Sequence, residues 1–407
     1  MGKVELNHKS KIKYQNFFDL ILWFFFSIWL IVDTVNGYFL NAGGSMPLSQ
    51  GLKFCVLIIL VIRIAYNYKN LKLIFFTVIY LLIIIIGLTI NEREIVESIV
   101  LSSKLITTIY LFIYFCYSIE IYKDSYCDKV KRVIIIGVCI LCINISLGFF
   151  NIGYHTYNLL EIGYKGFFYA GNELGGVIGA TFPFILYVVF WNKGMLTYSI
   201  ISIYLLTVAI LLSTKAAIIL CLFWIFAIPW IFGSPELRKK IKVAVIFLMI
   251  IMSFYLIKFY NIEKDTLLFK YLMTYNEGGT EDLIFSGRTG YLEDRFDVFE
   301  NGNLWIKLFG LGENQTIEMD WGDMLLNFGY FGLFLMAGIF GYILYFSYKR
   351  RNNNSFGKVL VLQNLFLILL SLSAGHILFS SMSGLYIALT NSLMMIKYNP
   401  HKCLVKI

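Results

Sequence analysis

Charged residues are scarce in this chain. They make up 14% of its 407 residues, while 59% are hydrophobic, and an ordinary soluble domain carries about 25% charged residues. Such a composition cannot cover a folded domain with a water-exposed surface. The sequence also has only five prolines, and no proline-rich linker divides it. A single membrane domain over residues 1–407 is therefore predicted.

Long apolar runs are abundant instead. Runs of about 20 residues recur along the whole sequence, and that length crosses a hydrocarbon core of roughly 30 Å. Because backbone amides in lipid must be paired internally, and barrel strands are shorter and alternating, these runs are expected to cross as helices. The predicted fold class is all-α, a polytopic integral membrane protein with about twelve transmembrane helices. The predicted spans are 17–38, 49–67, 71–90, 96–119, 132–150, 172–191, 196–213, 215–233, 242–260, 322–347, 358–377 and 380–397.

The formal charge of +9 does not indicate a nucleic-acid partner, because its distribution follows the membrane. If the N-terminus is cytoplasmic and each span reverses the side, most of the Lys and Arg residues fall in the inner segments. That asymmetry is the positive-inside rule. Both termini are then predicted to be cytoplasmic in a bacterial plasma membrane, with membrane lipid as the surroundings and no nucleic acid bound.

Motifs of soluble enzymes are also missing. The sequence has no Walker lysine loop, no zinc-binding histidine pair on a helix and no serine in a nucleophile elbow. Its seven cysteines and four histidines do not show the spacing of metal ligands. No metal and no cofactor is therefore predicted.

Two segments outside the predicted spans are long enough to carry chemistry. They are residues 151–171 and the far longer extracytoplasmic loop 261–320, inserted between the ninth and tenth helices. The loop contains 12 of the 25 acidic residues, which indicates a hydrated segment. Within it, the apolar spacing in 286–301 predicts a short helix that lies against the bundle.

Three basic residues are candidates for binding an anion. Arg288 and Arg295 lie in the loop, where an arginine fork could grip a phosphate in two parallel hydrogen bonds or simply form a surface ion pair. Lys215 follows a very short outer turn, where it could reach an anionic headgroup or only orient the hairpin of helices. Arg63 and Lys104, within or near spans, are interpreted as structural.

Polar and acidic residues flank the same region. Asn172 opens a span, where its amide could cap the helix or help to bind an anion. Glu318, Asp320 and Asp323 lie where the loop meets the membrane, as solvated charges or as partly buried proton acceptors. His376 is interpreted as an isolated, hydrogen-bonded residue at a helix end.

Several short motifs occur in order between residues 170 and 345. They are Gly171-Asn-Glu-Leu-Gly, Ser213-Thr-Lys-Ala-Ala, Ser286-Gly-Arg, Leu308-Phe-Gly-Leu-Gly and Glu318-Met-Asp-Trp-Gly-Asp-Met-Leu-Leu-Asn-Phe-Gly-Tyr-Phe-Gly. In order and membrane placement they resemble the O-antigen ligase and polysaccharide polymerase superfamily, which includes the Wzy-type polymerases of capsule and O-antigen. No single motif is specific to that superfamily.

The resemblance implies a metal-independent glycosyltransferase at the outer face of the membrane. Glycan would pass from an undecaprenyl diphosphate carrier onto another lipid-linked repeat unit, with a chain-length regulator protein as a further partner. Arg288 corresponds to a diphosphate-binding arginine, and Lys215 stands where arginine is common. Glu318 and Asp320 occupy the stretch where the ligases have a histidine, which favours a polymerase over a ligase.

Two other classes compete with this interpretation. A lipid-linked oligosaccharide flippase would have a similar number of spans, but transporters usually bind at the membrane midplane and have short outer loops. A membrane O-acyltransferase would require a catalytic histidine, for which neither His155 nor His376 shows a supportive setting in the sequence.

Overall fold

A computed structural model describes most of the chain. The described residues are 2–44, 48–68, 95–122, 124–158, 161–243, 289–311, 317–353 and 355–396, with Phe75, Thr77, Ile79, Tyr80, Val245 and Ile246 as isolated positions. Eight helices in these ranges are long and apolar enough to cross a membrane. The predominantly helical, polytopic architecture expected from composition is thereby confirmed. The predicted spans 71–90 and 242–260 lie mostly outside the described residues.

The secondary structure is dominated by helices, with one short antiparallel hairpin. The helices are α1 (Gly2–Asn41), α2 (Leu48–Tyr68), α3 (Ile95–Tyr122), α4 (Asp124–Ser146), α5 (Gly171–Asn192), α6 (Gly194–Leu212), α7 (Lys215–Phe232), α8 (Thr289–Glu300), α9 (Leu304–Phe309), α10 (Asp320–Arg350), α11 (Gly357–Ser371) and α12 (Ser381–Ser392). Strands β1 (Tyr154–Tyr157) and β2 (Ile162–Gly166) form the hairpin.

Most predicted spans coincide with helices, and the eleventh shows where the prediction is wrong. The helices α1 to α7 and α10 match eight predicted spans to within a few residues, apart from extensions at some ends. The span 358–377 is predicted as one helix, but α11 ends at Ser371 and residues 372–380 form turns and bends. This irregular segment is largely buried, so its backbone amides require partners from elsewhere in the protein.

The hairpin marks one end of the helical bundle, which we call the hairpin end. The Thr156 hydroxyl donates a hydrogen bond of 2.8 Å to the carbonyl of Leu212, at the end of α6. A Cβ added at Gly171, the first residue of α5, would lie 2.8 Å from Thr156 Cγ2. The helices α5 and α7 therefore begin at this end, and the contacts described below place the starts of α10 and α12 there as well.

Two helices stand at the centre of the bundle. Every residue of α12 is buried, and it packs between α3 and α5. The Trp29 indole of α1 donates a hydrogen bond of 3.2 Å to the Ser381 carbonyl. The helix α5 is the most buried of the candidate spans. The first turn of α12 is thus held inside the protein rather than at its lipid-facing surface.

The helices α8 and α9 pack against the first half of α10. The Phe299 ring of α8 is almost fully buried and lies edge-on to Tyr330, with the ring centroids 5.6 Å apart. The helix predicted in 286–301, and its position against the bundle, are confirmed for its described residues. Gly329 interrupts α10 with a φ of 64°, and the backbone of Leu308 lies against it so closely that a side chain would not fit.

Candidate functional site

Two of the sequence candidates meet at the hairpin end. Asn172 lies in the first turn of α5, and its Nδ2 donates a hydrogen bond of 3.1 Å to Oε2 of Glu318. Glu318 is exposed and precedes α10 by two residues. Residues 146 positions apart in the sequence are thus joined at the surface of the bundle. We call this pair the mouth of the site.

Asp320 has a different environment from Glu318. Its side chain is fully buried, with Oδ1 accepting the N–H of His376 at 2.5 Å. Its Oδ2 accepts the N–H groups of Ile377 and Leu378 at 3.1 and 2.7 Å. One carboxylate therefore supplies the partners that the irregular segment 372–380 requires, which explains why α11 ends before that segment.

Of the two alternatives for the acidic residues at the start of α10, solvated charge is wrong for Asp320 and Asp323. Asp323 is fully buried, like Asp320, and its Oδ1 accepts the N–H of Ile317 at 2.6 Å. Asp320 and Asp323 thus anchor backbone on either side of Glu318. Glu318 is the exposed acidic residue of this group.

The backbone at the mouth is strained. Glu318 and His376 have φ angles of 61° and 60°, a region that side chains other than glycine rarely adopt. Between them lies Gly375, where an added Cβ would come within 2.2 Å of the Glu318 backbone. Strain of this kind is costly and concentrates at functional sites. The two segments are thus locked together behind the Glu318 carboxylate.

A half-buried carboxylate lies next to the mouth. Glu173 follows Asn172 on α5, and its Oε2 accepts the hydroxyl of Ser380 at 2.7 Å. Its Oε1 lies 3.9 Å from the Lys104 ammonium of α3. Lys104, interpreted from the sequence as structural, therefore approaches a carboxylate that sequence reasoning did not select. The available signal was a charge inside an apolar span, which marks functional positions in membrane proteins.

His376 is not the isolated residue expected from the sequence. It lies within electrostatic reach of both Glu173 and Asp320. Its Nδ1 atom is buried and has no hydrogen-bond partner among the described residues. An imidazole with an unfilled ring nitrogen beside two carboxylates can bind a hydroxyl group or carry a proton.

Lys215 also lies at the hairpin end. It is the first residue of α7, after Thr214, whose side chain accepts the N–H of Ala217 as the helix cap. The neighbouring Ala216 packs against α5, since a Cβ added at Gly175 would lie 3.3 Å from its own Cβ. Lys215 is partly exposed and starts its helix one turn along α5 from the mouth.

The structure describes one of the two loop arginines. Arg295 lies partly exposed on α8, which packs against α10. Arg288 lies outside the described residues, so its predicted contact with a phosphate stays a prediction. No protein-family model matches this chain, and no curated protein and no solved structure matches it either.

Proposed function

We propose that this protein transfers glycan from an undecaprenyl diphosphate carrier onto another lipid-linked repeat unit, as a polysaccharide polymerase. The observation that carries the proposal is the pairing of Lys104 with Glu173 inside the bundle, directly behind the mouth formed by Asn172 and Glu318. Ionisable side chains within membrane spans are expensive, and they mark substrate sites more often than structural ones. A lipid-borne substrate would find there a cation for its anionic diphosphate and polar side chains for its sugar.

The chemistry requires charge stabilisation and an oriented acceptor. A diphosphate leaves readily once cations hold its developing negative charge, and Arg288, Lys215 and Arg295 are the candidate cations of the loop and the hairpin end. Glu318 is exposed and would orient or deprotonate the acceptor hydroxyl. The hydroxyl oxygen would attack the anomeric carbon while the bond from that carbon to the diphosphate breaks. Direct displacement of this kind inverts the anomeric centre.

Asp320 is assigned a positioning role within this proposal. Both of its oxygens accept backbone N–H groups, and its side chain has no exposed surface. It therefore fixes the segment that carries His376 rather than touching the acceptor sugar. The polymerase would work at the outer face of a bacterial plasma membrane, with cytoplasmic termini and a chain-length regulator as partner.

The decisive test uses the purified full-length protein in proteoliposomes with lipid-linked repeat units. We expect polymer to form, with one molecule of undecaprenyl diphosphate released for each glycosidic bond made. Glu318→Gln is expected to slow polymer formation by about 10²- to 10⁴-fold if it transfers the proton, and less if it only orients the acceptor. The matched control is Glu300→Gln, an exposed glutamate on α8, which should leave the rate unchanged.

The same preparation separates the polymerase from a flippase. A flippase would move the lipid-linked unit between leaflets without forming a glycosidic bond, and that result would overturn the proposal. In cells, loss of a polymerase leaves single repeat units on the outer surface, whereas loss of a flippase traps them inside. Transfer of glycan to a lipid acceptor other than another repeat unit would identify a ligase instead.

An O-acyltransferase is the second candidate, because the structure gives His376 the setting that this class needs. Its ring lies within electrostatic reach of Glu173 and Asp320, and Nδ1 is unfilled among the described residues. An acyltransferase would transfer acyl groups to a surface glycan and would release no undecaprenyl diphosphate. Incubation with a radiolabelled acyl donor and purified glycan distinguishes the two activities.

A further inference from the structure

The Lys104 ammonium has unfilled hydrogen-bonding capacity. Lysine carries three N–H donors, yet the separation of 3.9 Å from Glu173 Oε1 is an ionic contact and too long for a hydrogen bond. Its other contact is with the face of Phe379, 5.9 Å from the ring centroid. Within the described residues, this half-buried ammonium therefore has electrostatic attraction from two sides and a hydrogen bond from neither, which leaves its N–H donors available to a ligand.

Glu173 is arranged to release Lys104. Its second oxygen already accepts the Ser380 hydroxyl at 2.7 Å, so the carboxylate keeps one strong partner when the lysine moves. Lys53 and His376 also lie within its electrostatic reach. The side chains of Lys104 and Glu173 retain 24% and 14% exposure, so the protein does not fully enclose either of them.

We propose that the Lys104 ammonium moves away from Glu173 and binds the diphosphate of the lipid-linked donor. Glu173 then accepts the proton of the acceptor hydroxyl. The inference rests on the proposed function and deepens it in two ways. It adds a membrane-embedded cation to the loop arginines and Lys215 as a diphosphate ligand. It also assigns proton transfer to Glu173 and leaves Glu318 to orient the acceptor.

The exchange couples substrate binding to the availability of the carboxylate. While Lys104 faces Glu173, the ion pair occupies Oε1, and Ser380 occupies Oε2. Once the diphosphate holds Lys104, Oε1 is available to accept the acceptor hydroxyl. The hydroxyl proton passes to a Glu173 oxygen and the hydroxyl oxygen bonds to the anomeric carbon. The electron pair of the broken carbon–oxygen bond leaves on the diphosphate, beside Lys104.

The test measures binding of radiolabelled farnesyl diphosphate to the full-length protein in phosphatidylcholine nanodiscs. Lys104→Met should weaken binding by about ten- to a hundredfold, the equivalent of losing charge-assisted hydrogen bonds. Lys104→Arg keeps the charge and should retain most of the affinity. Glu173→Gln removes the competing carboxylate and should tighten binding severalfold while stopping polymer formation. Lys193→Met and Glu236→Gln, both exposed, are the matched controls and should change nothing.

Opposite effects of the two variants are the signature of exchange. A purely structural ion pair would give losses in both variants, with matching losses of thermal stability, and would overturn the proposal. So would unchanged affinity in Lys104→Met. Nanodiscs with added cardiolipin provide a further arm, because strong competition by that lipid would assign the site to a membrane headgroup instead of the donor diphosphate.

The outcome for this inference is separable from that for the proposed function. Polymer formation by the unaltered protein without the opposite binding effects would reject the exchange and keep the polymerase. Opposite binding effects in a protein that forms no polymer would keep a diphosphate site and reject the polymerase.

Discussion

Two ion pairs, a buried one and a half-buried one, lie near opposite ends of the bundle and differ in how many hydrogen bonds their charged groups make. At the end opposite the hairpin, Arg63 contacts Asp19 through two bonds, Nε to Oδ1 at 2.9 Å and Nη2 to Oδ2 at 2.6 Å. The hydroxyls of Tyr114 and Tyr122 donate to the same carboxylate at 3.0 and 2.9 Å. At the hairpin end, Lys104 and Glu173 face each other at 3.9 Å.

The difference shows that burial of charge does not by itself identify a functional position. The Asp19 carboxylate accepts four hydrogen bonds from three side chains on two other helices, α2 and α3. It has no room for a ligand. The Lys104 ammonium retains hydrogen-bonding capacity, and its partner Glu173 is the sequence neighbour of Asn172 in the mouth. A closed network indicates a structural role, and an open one indicates a role in binding.

The largest expected effect comes from removing Arg63 from its ion pair with Asp19. Arg63→Met should leave the Asp19 carboxylate buried without its cation and lower the free energy of unfolding by about 3–5 kcal/mol. Thermal unfolding of the detergent-solubilised protein measures the loss. Lys193→Met, which replaces an exposed lysine, is the matched control. A loss no larger than that of Lys104→Met would show that the two ends do not differ as described.

A smaller effect is expected at the carboxylate that anchors the irregular segment. Asp320→Asn loses the charge that strengthens three backbone hydrogen bonds, and its amide N–H groups would face N–H donors. We expect the free energy of unfolding to fall by about 1.5–3 kcal/mol and polymer formation to fall with it. Binding of farnesyl diphosphate should change less than in Lys104→Met. Full stability together with lost activity would instead indicate direct contact of Asp320 with substrate.

Much of the architecture was predictable, because apolar length and the pairing of backbone amides in lipid leave few alternatives. Eight predicted spans coincide with helices for that reason. The region around residues 372–380 was not predictable from periodicity, since it looks like the end of an apolar helix. Its irregular course depends on Asp320, which is 56 to 58 residues away in sequence. The hairpin in 151–171 was missed because aromatic and polar residues alternate over only a few positions.

The candidate site was predicted only in outline. Asn172 and Glu318 were selected separately, and the structure joins them. Glu173 was passed over, although it is the neighbour of Asn172, because a sequence does not show which side of a helix faces another charge. His376 and Lys104 were judged from their own surroundings in the sequence. Both owe their importance to partners on other helices.

The smallest effect is expected at a buried lysine that is already satisfied. Lys165 of β2 is 6% exposed, and its Nζ donates to the Tyr169 carbonyl at 2.7 Å. Burial in the hairpin lowers the pKa of this ammonium, because removal from water disfavours the charged form. The unfolded chain therefore binds this proton more tightly than the folded protein does. Between the lowered pKa and the ordinary lysine value of about 10.4, stability should rise with pH.

Lys165→Met tests the expected rise of stability with pH. It also provides a contrast to Lys104, whose loss is expected to weaken diphosphate binding. The substitution removes the cost of burying a charge but also removes the bond to Tyr169, so the change at neutral pH should stay within about 1 kcal/mol. What should disappear is the rise in stability between neutral and alkaline pH, measured as the shift in unfolding temperature relative to the unaltered protein. Binding of farnesyl diphosphate should be unchanged, since this ammonium already has a hydrogen-bond acceptor. If Lys165→Met weakened that binding as strongly as Lys104→Met does, filled and unfilled hydrogen-bonding capacity would not separate structural from ligand-binding cations in this protein.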